Sequence, residues 1–164
     1  MLIGVIMFWL LGKDPVRGLQ VFFWEPIKSA YALGEVGVKA TPLLLIALGL
    51  AVCFRSNVWN IGAEGQYIIG AVAAGGVALL AGKDTGRWIV VAVLLAGILG
   101  GMLWAGVAAF LRDRFNAGEI LVTLMLVYVA VQVLGYLVYG PWKDPAGYNF
   151  PQTRTFDAVT QIPR

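Results

Sequence analysis

Polar side chains interrupt an otherwise apolar sequence between residues 54 and 66, which reads FRSNVWNIGAEGQ. The amide and carboxylate groups here belong to Asn57, Asn60, Glu64 and Gln66. Such groups can line a polar path between helices, because non-helical backbone at membrane depth survives only when it is buried in protein or faces a wet cavity. The alternative is an ordinary loop outside the bilayer, in which Asn60 or Glu64 caps the next helix. The residues alone leave both interpretations open.

Two glycines in this segment, Gly62 and Gly65, would permit the tight backbone that a break between helices needs. A second polar group, Glu119, opens an apolar run, where the helix dipole favours a carboxylate. Glu119 is therefore a candidate for the same polar path or for simple helix-start chemistry, and Asn116 can cap that helix. Thr123, one turn further on, is predicted to hydrogen-bond to a neighbouring helix.

Groups for catalysis and metal binding are scarce. The sequence has no histidine, which is the commonest metal ligand and the neutral-pH acid–base group. Cys53 is its one cysteine, so neither an intrachain disulfide nor a multi-cysteine metal site can form. No phosphate-binding loop of the Gly-Lys-Ser/Thr type occurs, and no concentrated basic cluster indicates nucleic acid. We expect no enzymatic activity, cofactor or metal in this chain.

The composition predicts an all-α integral membrane protein with a multi-helix transmembrane bundle. Hydrophobic residues make up 60% of the 164 and charged residues only 13%, whereas a soluble domain usually carries about 25% charged residues. The mean hydropathy is +0.81. A spanning helix needs about 20 mostly apolar residues, and the predicted spans are 1–12, 39–54, 66–82, 88–111 and 120–140.

Local signals set the predicted boundaries. Thr41-Pro42 is interpreted as a helix start, since threonine caps and proline suits the first helical position. Residues 82–86 are predicted to form a short turn, and residues 141–164 are predicted to form a loop. The run 1–12 is short for a span, so we interpret it as the truncated end of a helix and the chain as part of a longer protein.

Small residues recur four apart within the predicted spans: Gly70 and Ala74, Gly97 and Gly101, and Ala105 and Ala109. Such pairs let helix backbones approach closely in lipid, where hydrophobicity gives helices no reason to associate. Together they indicate a compact bundle rather than a single anchor helix.

Three motifs, in order and at matching spacing, resemble a known family: VKATPLLLIALGLAVCFRSNVWNIGAEGQ (38–66), RFNAGEILVTLMLVYVA (114–130) and YLVYGPWKDPAGYNFPQT (136–153). They are similar to permease subunits of bacterial ABC transporters, in the branched-chain amino acid and ribose permease superfamily, and most of all to its nucleoside and simple-sugar group. The likeness covers most of 38–153. One departure is Gly118, because many members carry asparagine before the glutamate that corresponds to Glu119.

The resemblance implies a subunit of roughly ten helices in the bacterial cytoplasmic membrane. It implies a second permease subunit, cytoplasmic ATP-binding subunits that use the ATP, and an extracytoplasmic substrate-binding lipoprotein. It also implies a cytoplasmic amino terminus, with 55–65 and 112–118 on the inside and 141–164 as an extracytoplasmic loop. It favours a break beside the solute path, with Asn60, Glu64 and Gln66 as candidates for its polar lining or support. Asn57 and Glu119 complete our candidate path residues.

Charge alone favours the opposite orientation, because a cytoplasmic amino terminus places most basic residues outside. That count lacks any part of the protein beyond this chain, so we follow the resemblance. Two other functions stay open. A channel or secondary transporter built from inverted repeats is one, although 39–82 and 88–140 share no clear similarity. A non-transporting membrane scaffold that assembles through its glycine-rich faces is the other.

Overall fold

A computed structural model describes residues 2–82, 85–148 and 150–160. Within them the chain forms α1 (Leu2–Leu10), α2 (Pro15–Phe23), α3 (Ala30–Arg55), α4 (Ala63–Leu80), α5 (Ile89–Phe115) and α6 (Glu119–Tyr139). Short 3₁₀ turns cover Glu25–Ile27 and Ala158–Thr160. Helices α3 to α6 are long and apolar enough to cross a membrane. The predicted all-α membrane class is therefore confirmed.

Some of the elements predicted from the sequence contain residues outside the described ranges. Met1 belongs to the first predicted span, Lys83 and Asp84 belong to the predicted turn, and Asn149 and residues 161–164 belong to the predicted loop. These positions lie outside the described residues.

One predicted helix boundary is wrong, because Thr41-Pro42 lies inside α3. The helix begins after Ser29, whose hydroxyl accepts the N–H of Ala32 at 3.1 Å, as an N-cap side chain does. Pro42 removes one backbone hydrogen bond from the helix, and in the same turn the Thr41 hydroxyl donates to the carbonyl of Gly37 at 2.8 Å. The carbonyl that Pro42 leaves without its helical partner is that of Val38, whereas the Thr41 hydroxyl bonds the carbonyl next to it.

The long helices also extend past the predicted spans, since backbone hydrogen bonding does not stop where an apolar run stops. Helix α3 begins at Ala30 instead of near 39. Helix α5 continues through Arg112, Asp113 and Arg114 to Phe115. The charged residues that mark the end of an apolar run are thus presented on a final helical turn.

The chain divides into two compact units, Met1–Ala51 and Val52–Arg164. In the first unit α1 packs against α2, and the ring of Phe8 lies so close to Gly18 that an added Cβ there would be 3.0 Å from it. Helix α2 starts at Pro15, and the Asp14 carboxylate accepts the N–H of Val16 at 2.9 Å. This is N-cap chemistry with proline at the first helical position.

In the second unit α4 packs closely against α5 through glycines. A Cβ on Gly70 would lie 2.9 Å from the carbonyl oxygen of Gly97, and one on Gly100 would lie 2.6 Å from the Cβ of Ala73. Real Cβ atoms do not approach backbone oxygens this closely, so glycine is needed for this crossing. The predicted close approach through Gly70 and Gly97 is confirmed.

After α6, the described residues 140–148 and 150–160 return to α4. An isolated antiparallel bridge joins Lys143 and Thr153, and the rings of Trp142 and Phe156 each lie 3.7 Å from where a Cβ on Gly75 would be. A Cβ at that distance would make ordinary van der Waals contact, so both rings lie against α4 at Gly75. The side of the membrane on which this segment lies stays a prediction.

Candidate functional site

A cavity of about 660 Å³ lies in the second unit, where α3 and α5 end and α4 and α6 begin. Its volume falls within the usual range for small-molecule sites, about 300–1,000 Å³. Alanines of α5 form one wall, at positions Ala105, Ala108 and Ala109. The polar and aromatic lining consists of Trp59, Asn60, Gln66, Arg112, Asp113, Asn116, Glu119 and Thr123. A small-residue wall facing a polar lining is a suitable container for a small polar molecule.

The Glu119 side chain of this lining contacts two neighbouring segments of the chain. Its Oε2 accepts the backbone N–H of Trp59 at 2.8 Å, and its Oε1 pairs with Nη1 of Arg112 at 2.6 Å. The Glu119 side chain is 18% exposed and that of Arg112 is 43% exposed. Hydrogen bonds to an ionised group are the stronger kind. Glu119 therefore links the start of α6 both to the end of α5 and to the segment before α4.

Thr123 supports the same segment one turn further along α6. Its side chain is buried, with 5% exposure. The hydroxyl donates to the Glu119 carbonyl at 2.7 Å and accepts the N–H of Ile61 at 3.3 Å. Sequence reasoning predicted a bond to a neighbouring helix, whereas the partner is the extended segment that leads into α4.

Gly62 and Gly65 hold this segment against α6 by their lack of side chains. A Cβ on Gly62 would lie 2.8 Å from the carbonyl oxygen of Thr123, and one on Gly65 would lie 3.0 Å from Cα of Val127. The requirement at both glycines is close backbone approach, not a left-handed conformation. The segment 57–62 is non-helical, and Gly62 is buried whereas Trp59 and Ile61 are about half exposed.

Asn60 and Gln66 face the cavity as a pair. The Asn60 side-chain oxygen accepts the N–H of Gly62 at 2.9 Å, and its Nδ2 donates to Oε1 of Gln66 at 3.3 Å. The bond to Gly62 fixes which way the amide faces, so its nitrogen points to Gln66. Asn60 thus shapes the turn before α4 and lines the cavity. Neither Asn60 nor Glu64 caps α4, because its N-cap is Gly62 without a side-chain hydrogen bond, and the place of Asn60 on a solute path stays a prediction.

Asn57 and Glu64 are the two candidates that lie off the cavity. Asn57 has φ 57°, and the N–H groups of Asn57 and Val58 bond to the carbonyls of Phe54 and Cys53. These are the two hydrogen bonds of a left-handed helix ending in which asparagine replaces the usual glycine. Glu64 is exposed in the first turn of α4, where a carboxylate suits the helix dipole.

Asn116 does not cap α6, so that prediction is wrong. It is the left-handed residue that ends α5, with φ 50°, and its N–H bonds to the carbonyl of Leu111. The N-cap of α6 is Gly118, without a side-chain hydrogen bond. The connection between α5 and α6 is so short that Asn116 serves the earlier helix, and its side chain lines the cavity.

Sequence reasoning did not select three residues that line the cavity: Trp59, Arg112 and Asp113. Arg112 was interpreted only as the end of a span. A signal was present, because Arg112 is opposite in charge to Glu119 and the two helices are joined by only residues 116–118. For Trp59 the contact is made by its backbone N–H, which side-chain type cannot indicate.

Four long apolar helices make this chain a multi-pass protein of the cytoplasmic membrane. More specifically, the chain belongs to the family of branched-chain amino acid transport system permease components, which it matches over residues 33–162. This confirms the resemblance that the three motifs carry.

Several relatives are similar over most of this chain. The chain is 35% identical to the glucose ABC transporter permease protein TsgB13 of Haloferax volcanii, over 98% of this chain and 42% of that protein. It is 29% identical to the guanosine ABC transporter permease protein NupP of Bacillus subtilis, over 86% and 40%. A probable riboflavin import permease protein of Treponema pallidum is 28% identical, over 84% and 37%. The chain thus spans less than half of the length of these relatives. No solved structure matches it significantly.

Proposed function

We propose that this chain forms part of the membrane-spanning subunit of an ABC importer for nucleosides or simple sugars. The observation that carries the proposal is the family match, together with relatives named for glucose and guanosine transport. Glucose and guanosine both contain an uncharged sugar ring with several hydroxyl groups. The solute class we propose is therefore small, polar and neutral.

The cavity supports a neutral solute. Asn60 and Gln66 supply amide donors and acceptors, and Trp59 adds an aromatic residue to the lining. The Glu119 carboxylate is already paired with Arg112, so it needs no counter-charge from an incoming solute, and Asp113 adds one further carboxylate to the lining. A cavity of about 660 Å³ also leaves room for water around such a solute, which favours weak and reversible contact.

The proposed mechanism is alternating access. Cytoplasmic ATP-binding subunits bind and hydrolyse ATP, and this changes how the helices of two permease subunits pack. An extracytoplasmic binding lipoprotein delivers the solute, which then moves past the polar segment 57–66. In this scheme Glu119 and Thr123 hold the segment in place, and Asn60 and Gln66 contact the solute. No covalent step takes place in this chain, and ATP is used only by the partner subunits.

Radiolabelled nucleoside and sugar uptake by the complete transporter tests this proposal. Gln66→Ala changes a cavity residue, and Glu64→Ala, two positions earlier, changes an exposed residue off the cavity. We expect uptake to fall in the first variant and to stay near wild type in the second, at equal membrane expression. Uptake is expected to fall in the Asn60→Ala variant as well. Unchanged uptake in both Gln66→Ala and Asn60→Ala would remove the segment from the solute path.

A further inference from the structure

Helix α2 has two chemically different sides. At about 100° per residue, Leu19, Phe22 and Phe23 fall on one side, while Arg17 and Gln20 fall on the other. The helix is a defined element rather than a chance turn, because the Asp14 cap and Pro15 fix its start. An amphipathic pattern of this kind demands an apolar environment along one side only.

The first unit covers little of that apolar side. Gly18 packs against the ring of Phe8, and Leu19 beside it is half-buried. Phe22 is 75% exposed and Phe23 is 55% exposed, and their rings contact each other edge to face at 5.2 Å. Within the first unit, both phenylalanine rings are thus largely exposed.

The position of α2 along the chain points to what covers these rings. Helix α1 consists of nine residues, LIGVIMFWL, without a charge. The linker 11–14 reaches at most about 14 Å, so α2 lies near the end of an apolar helix. On its other side, a few residues lead to α3, a candidate membrane span. Helix α2 is therefore held close to the level at which the chain enters and leaves lipid.

Residue types around α2 fit that level. Aromatic residues concentrate at the end of α1 and the end of α2: Phe8, Trp9, Phe22, Phe23 and Trp24. Trp is enriched where hydrocarbon meets lipid headgroups. Exposed basic side chains stand beside them, at Lys13, Arg17 and Lys28, where they can reach lipid phosphates. A helix with cations on its polar side and Phe on the other suits the bilayer interface.

We propose that α2 is an interfacial helix that docks on the lipid bilayer. Phe22 and Phe23 enter the boundary between headgroups and acyl chains, and Arg17 and Gln20 face water and phosphate. Its partner is lipid, not a further protein segment. This inference needs only the membrane location of the chain and is independent of the solute that is transported.

Site-directed fluorescence in the complete permease tests this. The protein, with Cys53 and any further cysteine replaced, is reconstituted in vesicles of phosphatidylcholine and phosphatidylglycerol. A polarity-sensitive dye is attached to Phe22→Cys or to the matched Gln20→Cys on the opposite side. We expect nitroxide-labelled lipid to quench the dye at position 22 roughly two or more times as strongly as the dye at position 20. Aqueous iodide should instead quench the dye at position 20 more strongly.

Three results would overturn the proposal. Quenching of both dyes by iodide alone would place α2 in water. Protection of the dye at 22 from both quenchers would mean that protein covers the apolar side. Equal lipid quenching at both positions would mean that α2 is immersed rather than interfacial. The pair Phe23→Cys and Arg17→Cys repeats the comparison. This second pair replaces the first as the test if Phe22→Cys fails to fold.

Discussion

The carboxylate of Glu119 accepts the backbone N–H of Trp59 at 2.8 Å, although sixty positions separate the two residues in sequence. The same carboxylate pairs with Arg112. A glutamate that served only the dipole of its own helix would make neither contact. Glu119 is thus a positioning residue for the segment that borders the cavity, and its effect on transport is expected to pass through that segment.

Glu119→Ala removes both contacts and is expected to lower the free energy of unfolding by about 2 kcal/mol, the size of a hydrogen bond to a charged group. Glu119→Gln keeps an acceptor for Trp59 and loses only the ion pair with a partly exposed arginine, which is worth roughly 0.5 kcal/mol. Thermal unfolding of the complete permease in detergent compares the two. Equal losses would mean that the Trp59 contact contributes nothing.

Thr123 offers a test of the neighbouring hydrogen bond. Thr123→Val keeps the shape of the buried side chain but removes the acceptor of the Ile61 N–H, at an expected cost of about 1–2 kcal/mol. Thr123→Ser keeps the hydroxyl and serves as the matched control. The same unfolding measurement should rank serine above valine. The reverse order would show that methyl packing, and not the hydrogen bond, holds Thr123 in place.

Gly62→Ala tests the close approach of the segment to α6. The new Cβ would meet backbone atoms of Thr123, which cannot move away as a flexible side chain can. We therefore expect the free energy of unfolding to fall by about 1–3 kcal/mol. Gly106→Ala is the control, because a Cβ at Gly106 meets no described atom within 4 Å. The amount of folded protein recovered after detergent extraction measures the difference in stability between the two variants. Equal yields from the two variants would contradict the proposed contact.

Asn57 is expected to act on stability and not on transport. Asn57→Ala removes the short polar side chain that lets asparagine adopt the left-handed region, at an expected cost of about 1 kcal/mol. Asn57→Gly adopts that conformation readily and should be at least as stable as wild type. Solute uptake by Asn57→Gly should match wild type at equal expression. A clear loss of uptake in the glycine variant would return Asn57 to the solute path.

The sequence predicted the long helices well, because charge-free runs of sufficient length have few alternatives in a membrane. It failed at Thr41-Pro42, where the same residue types that start a helix also occur inside one when the surrounding run is apolar. Close packing through Gly70 and Gly97 was predicted for a related reason: small residues at helical spacing have one common use in lipid.

The site was harder to predict. Composition marked 57–66 as polar, yet it could not separate Asn60, which lines the cavity, from Asn57, which ends α3. The difference is one of backbone conformation, and both residues are asparagine. The roles of Glu119 and Arg112 depend on which segment lies beside them in three dimensions. Local sequence patterns do not indicate a contact between positions 59 and 119.

The most direct test of the central claim, that the cavity beside 57–66 lies on the solute route, is uptake after chemical blocking. Gln66→Cys and Glu64→Cys are compared in the complete transporter, with Cys53 and any further cysteine replaced, before and after labelling with a bulky maleimide. The account predicts that labelling at 66 abolishes uptake, that solute slows this labelling, and that labelling at 64 leaves uptake intact. Full uptake with residue 66 completely labelled would contradict it.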